Sequence, residues 1–179
     1  MISFSTIEKV LSPILSRAQL FKHGFNLAPM YRATNGRITY VKEDLSEIRT
    51  RTKLNYRTKN YVGTMFGGAM FSSVDPFPMV QLINILGKDY VVWDKAADIR
   101  FRRPATQDLV AVFQYSGEEV ADIKAKVAKN GELELDKVTE LREVDSNELC
   151  CIVTKTLYIA SKEHFAKKQR LRASKTQVT

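Results

Sequence analysis

A chain of 179 residues, 44% hydrophobic and 27% charged, is long enough for one domain with a real core. Its usage is that of a globular protein, which excludes collagenous and low-complexity architectures. No run reaches the roughly 20 apolar residues of a membrane span, because Asp75, Gln81 and Asn84 interrupt the longest candidate. The net charge of +8 is unevenly placed: beyond Ala160, six lysines and arginines face Glu163 alone. That segment reads as a solvated basic tail open to an acidic partner, while the near-neutral body argues against a nucleic-acid surface.

The N-terminus, Met1 to Val10, lacks a basic region followed by a long apolar stretch, so no secretory signal is expected. Cys150 and Cys151 are neighbours whose side chains leave a strand on opposite faces, so a bridge between them would be strained. With no histidines at metal-ligand spacing, no metal site is expected either, and the location expected is cytoplasmic.

In chain order, Thr6 to Phe21 carries a helical apolar face that Pro13 should kink, and Lys22-His23-Gly24 reads as its end. Phe25 to Asn35 is a connector. Arg37–Val41 and Ile48–Leu54 read as strands around a Glu43-Asp44 turn, the second with Ile48, Thr50, Thr52 and Leu54 inward and Arg49, Arg51 and Lys53 outward. From Phe66 to Gly87 apolar residues fall all round a helix, so this helix should be wrapped by the rest of the protein. Strands are expected from Tyr90 and through Ala97–Phe101, ending before Pro104, and over Leu109–Tyr115. Ser116-Gly-Glu-Glu119 has the form of a capping box opening a short helix with Val120, Ile123 and Val127 inward. Leu133–Val144 reads as a strand with a bulge near Asp136-Lys137, and Glu148–Ala160 as the last strand, with Val153, Leu157 and Ile159 on one side. The organisation is thus an N-terminal helical segment (1–35), an α+β domain (36–160) and a basic tail (161–179), the domain having five to six antiparallel strands around one long central helix.

The stretch Asn60-x-x-Gly63-Thr64-x-Phe66-Gly67-Gly68-x-Met70-Phe71-x-x-x-Asp75 resembles the core motif of hot-dog-fold acyl-CoA thioesterases of the phenylacetate-pathway type. The Gly-Gly pair, the apolar pair and the Asp coincide in spacing, and Asn60 matches the family's Asn. Phe66 stands where that branch has His. The Gly63-Thr64-x-Phe66-x-Gly68 form, together with Trp93-Asp-Lys-Ala-Ala-Asp98-Ile-Arg-Phe101 and Pro104, looks like an uncharacterised bacterial branch known as a domain of unknown function.

The resemblance implies a hot-dog fold, a homodimer or dimer of dimers joined through edge strands, and a coenzyme A thioester as substrate, with no cofactor. It gives Gly68, supported by Gly67, the role of polarising the thioester carbonyl through free amides at a helix N-terminus. Asp75 becomes the nucleophile or the base that activates water. Two other readings of Asp75 stand beside this one: a cap on a helix restarted at Pro76, or an inert buried carboxylate. Asn60 orients carbonyl or water, or stabilises a turn. Thr64 is a secondary polar contact, and Phe66 fills space where His would donate a hydrogen bond. Arg100, Arg102 and Arg103 would meet the coenzyme phosphates, or simply face solvent. The competing functions are a non-catalytic acyl or acyl-CoA binding module and a dimerising scaffold for an acidic partner of the tail.

Overall fold

The computed structural model describes residues 15–176. They form α1 (Arg17–Leu27), α2 (Pro29–Arg32), β1 (Gly36–Val41), β2 (Glu47–Thr52), α3 (Gly67–Val74), α4 (Phe77–Leu86), β3 (Tyr90–Phe101), β4 (Leu109–Gln114), α5 (Gly117–Asn130), β5 (Glu132–Glu143), β6 (Leu149–Ser161) and α6 (Lys162–Thr176). The first part of the helix expected from Thr6, with Pro13, lies outside the described residues. The helix that is described ends later than expected. Ser16 caps it through a reciprocal pair of bonds with Gln19, and it runs past His23 and Gly24 to Leu27. A mid-helix glycine costs about 1 kcal/mol; here Phe25 offsets it by stacking on Phe21 at 4.8 Å and packing at a tilt against Phe77 at 5.6 Å. His23 is therefore an exposed interior residue of α1, not its terminus.

The six strands form one antiparallel sheet in the order β1-β2-β4-β5-β6-β3. Their inner faces carry Ile48, Leu109, Phe113, Val153, Leu157 and Ile159, all at most 4% exposed, and these close around α3 and α4. The long central helix is broken between these two, at Asp75 and Pro76. Both residues keep right-handed helical backbone (φ −47°, ψ −48° and φ −75°, ψ −22°). The axis therefore continues while the ladder is interrupted, since Pro76 and Pro78 have no N–H to give. Phe77 follows the break and is fully buried. It lies 5.2 Å from Tyr31 and 4.8 Å from Phe113, joining helix layer, sheet and N-terminal helices in one aromatic cluster.

Two expectations need correction. β5 has no bulge at Asp136-Lys137; Asp136 pairs with Thr156 and Lys137 with Lys155 in regular register, and the irregularity falls between Leu141 and Arg142. The alternation breaks at Lys137 because this lysine turns inward, donating to Glu119 at 2.6 Å and lying 4.0 Å from the Tyr115 ring centroid. Glu119 is thereby diverted from the capping box, of which the bond from its own N–H to Ser116 Oγ remains, at 3.0 Å. The second correction concerns the basic tail, which is helical from Lys162 to Thr176. Its first turns dock on the sheet, where Lys168 and the Tyr158 hydroxyl both donate to Glu132 at 2.5 Å.

Truncating Phe77 to Ala should cost about 3–5 kcal/mol, the usual loss for a buried aromatic, read by urea unfolding; a loss below about 1 kcal/mol would show that the cluster does not hold the layers together. Bonds from Lys168 and Tyr158 pull the Glu132 carboxyl down from 4.5 to about 2. A depressed folded pKa stabilises above the unfolded value and loses that stability as pH falls towards the folded one. Docking of α6 should therefore weaken between pH 4.5 and about 2, with hydrogen exchange of its amides as the readout, and Glu132→Gln should remove that dependence.

Candidate active site

At the start of α3 the sequence leaves helix donors free. Phe66 occupies the N-cap position with extended backbone and no capping side chain. The first helix bonds closing on its carbonyl come from Ala69 and Met70. The N–H groups of Gly67 and Gly68 thus have no protein acceptor among the described residues, and the positive end of the helix dipole adds to them. Both glycines lie under exposed rings: a Cβ on Gly67 would stand 2.6 Å from the Phe101 ring, and one on Gly68 2.3 Å from the Phe66 ring, so a side chain at either would displace its ring.

The preceding loop is built by Asn60. Its Oδ1 accepts from the N–H groups of Val62 (3.1 Å) and Thr64 (3.0 Å), and its Nδ2 donates to Thr64 Oγ1 at 2.9 Å. Gly63 completes the turn with a φ of 87°, a conformation that favours glycine. The turn-forming reading of Asn60 is the one these bonds describe. A cleft of about 400 Å³ opens beside it, lined by Asn60, Thr64, Gly67, Phe101, Arg102 and Arg103 among others. Arg102 is exposed and Arg103 bonds Glu148 at 2.9 Å. Arg100 is outside this cleft, paired with Asp98 on its own strand. Phe66 is 58% exposed at the surface nearby.

Asp75 lies at the other end of α3. Seven residues of helix put it about 10 Å along the axis from Gly68, so one protomer does not bring these two groups to a common atom. The capping reading fails: Pro76 holds the N-cap position of α4 without any side-chain cap bond. The Asp75 side chain is 40% exposed, so it is not the buried carboxylate that the third reading describes. Its Oδ1 accepts instead from Lys155 Nζ at 2.5 Å, and the same ammonium bonds Asp94 Oδ2 at 2.9 Å. Lys155 is almost fully buried on the inner face of β6, and Asp94 comes from β3 at its bulge. Burial pulls the Lys155 pKa down, but the two carboxylates outweigh it and hold it above the ordinary 10.5.

Lys155 and Asp94 were missed from the sequence, although a signal was present. In the alternation Val153, Leu157, Ile159, the intervening inward position is 155, and a lysine there demands partners. Ser72 and Ser73, by contrast, bond back to carbonyls of their own helix. The two cysteines are free, buried thiols, and burial raises that of Cys151 to about 11. A larger cleft of about 500 Å³, rimmed by Arg32, Arg37, Lys53 and Arg57, lies elsewhere and contains none of these residues.

An antiparallel sheet wrapped on a central helix whose glycine start and mid-helix carboxylate fall at fixed spacing defines a hot-dog protein. The family model described as Domain of unknown function (DUF4442) matches residues 17–148, and the chain belongs to that family. No curated protein matches it in sequence. Among solved structures, it is similar to a Pseudomonas aeruginosa protein of unknown function called a probable thioesterase, with 19% identity, a TM-score of 0.70, and coverage of 79% of this chain and 94% of that one. A second P. aeruginosa structure, of a mutant thioesterase, matches at 12% identity and a TM-score of 0.58 over 79% and 92% of the two chains. A Haemophilus influenzae thioesterase gives 14% and 0.52 over 90% and 92%. At these identities the likeness shows the fold. No helix among the described residues is long and apolar enough to cross a membrane.

Lys155→Met should cost about 1–3 kcal/mol, less than the 3–5 kcal/mol of a fully buried pair because both carboxylates reach water. A raised folded pKa stabilises below the unfolded value and is lost as pH rises through the folded one. Wild type and variant should therefore differ by the same amount from pH 7 to 10 and converge only above 10.5; convergence near neutrality in urea titrations would contradict the ion cluster.

Proposed function

We propose that the protein hydrolyses an acyl-CoA thioester, with Asp75 of one protomer and the Gly67–Gly68 amides of a second acting on the same carbonyl. The observation carrying this reading is a solvent-reaching carboxylate held by a buried lysine, on the same helix as two unsatisfied amide donors. The roughly 10 Å between them is bridged if two copies pair through β3. That strand is twelve residues long, has β6 on one side only, and is exposed on most of its length. Such an edge favours a second strand, and a homodimer, alone or doubled, follows by twofold symmetry.

Asp75 takes a proton from water, the oxygen adds to the thioester carbon, and the oxyanion receives the glycine amides. The C–S bond then breaks, the sulfur leaves as coenzyme A thiolate, and the proton on Asp75 returns to it. Arg102 and Arg103 stand beside the cleft at the donor end, where they would meet coenzyme phosphates; Arg100, tied to Asp98, would play a lesser part. Asn60 and Thr64 hold the loop before the donors, and Phe66 covers the start of the helix. No cofactor enters this chemistry. The placement of the Phe66 ring against Gly68 favours one alternative, an acyl-CoA binding protein without turnover.

A panel of short, medium, long and aryl acyl-CoA thioesters distinguishes the two. Wild type should turn over part of the panel, and Asp75→Asn should lower kcat by about 10²–10⁴-fold in a protein that still folds, because Asp94 keeps Lys155 paired, although about 1–3 kcal/mol less stable. Saturable binding with no turnover of any member would establish the binding protein instead.

A further inference from the structure

A third cleft, of about 320 Å³, lies on the Asp75 side of the central helix. Its walls are Phe25, Ala28 and Met30 from the N-terminal helices and the turn between them, Pro76 from the helix break, and Met79 and Val80 from α4, with Asp75 and Asp94 at its edge. The N-terminal helices are held there by the Phe25–Phe77 contact and by Arg17, which donates to the Asn84 carbonyl at 2.7 Å. Except for the two acids, every group named on this wall is apolar. Met30 is 62% exposed and offers a flexible thioether at the surface. Volume and lining both suit a small apolar group.

Resting on the thioester reading of Asp75, we infer that this cleft receives the acyl group, and that the group is apolar and uncharged. The charges around it decide the second point. Two carboxylates face one ammonium, and Lys155 already donates to both. The next charged side chain on this inner face, Lys137, is turned away to Glu119. An acyl chain ending in a carboxylate would meet net negative charge with no free cation among the described residues that line the cleft, and burying it unpaired is costly. An alkyl or aryl chain displaces water from apolar walls and places its carbonyl beside Asp75. The N-terminal helices, which contribute half of the apolar wall, then set the length of chain accepted.

Calorimetric titration with S-alkyl-CoA thioethers of four to sixteen carbons, which are not hydrolysed, tests this independently of turnover. Affinity should climb by up to about fourfold per methylene and level off once the cleft is full. Met30→Trp, at a position too exposed to threaten folding, and Ala28→Phe should both move the plateau to shorter chains. A thioether ending in a carboxylate should bind at least about tenfold more weakly than the alkyl chain of equal length. Affinity independent of chain length, no binding at any length, or a plateau unmoved by either variant would overturn the assignment. Thioester turnover with an unmoved plateau would sink this inference alone and leave the hydrolase reading standing.

Discussion

The bond between a buried ammonium and two carboxylates is the constraint from which the rest of the site follows. Lys155 sits among Val153 and Leu157 on the inner face of β6, where an unpaired charge would be very costly. It is tolerated because the central helix and β3 each bring an acid to it, Asp75 at 2.5 Å and Asp94 at 2.9 Å. One side chain thereby ties the helix break, the last strand and the edge strand together. The break has a matching cause. Pro76 and Pro78 remove two helix donors where the acid must turn towards the sheet, and Phe77 between them anchors the break in the aromatic cluster.

The same helix carries the free donors at its far end. Gly67 and Gly68 present amides without acceptors, and the Asn60–Thr64 turn holds the approach open. Because α3 is rigid, donor end and acid stay apart within a chain. In the proposed hydrolase, the exposed β3 edge and the separated groups fit together as a site shared between copies. The N-terminal helices lie against the Asp75 half, where Phe25, Ala28 and Met30 add an apolar wall.

Much of this was legible in the sequence. Alternation placed β2, β4 and β6, all-round apolarity marked the central helix, and motif spacing pointed to the hot-dog arrangement and to Asp75 and Gly68. The failures have physical reasons. Lys137 and Lys155 face inward, so they broke the strand pattern; one was read as a bulge and the other passed unnoticed, since periodicity counts apolar residues and cannot see an ion pair formed eighty positions away. Gly24 imitated a helix end because the aromatic packing that carries α1 past it is tertiary. The basic segment after Ala160 has no apolar stripe, and its helix depends on Glu132, a residue of another element. Asp75 before Pro76 has the local signature of a cap, and the more favourable partner was across the core.

The central claim, that each site draws its acid and its donors from different copies, is tested most directly by mixing two inactive variants. Asp75→Asn lacks the acid, and Gly68→Pro, made together with Phe66→Ala to clear the ring that a Cβ there would meet at 2.3 Å, lacks an amide hydrogen in the first helical turn, where no intrahelical bond is lost. If sites are shared, equal mixing with subunit exchange should restore about a quarter of wild-type thioesterase activity, since half of the dimers would hold one intact site. A mixture no more active than its separate components would contradict the shared site and require both groups to act within a single chain.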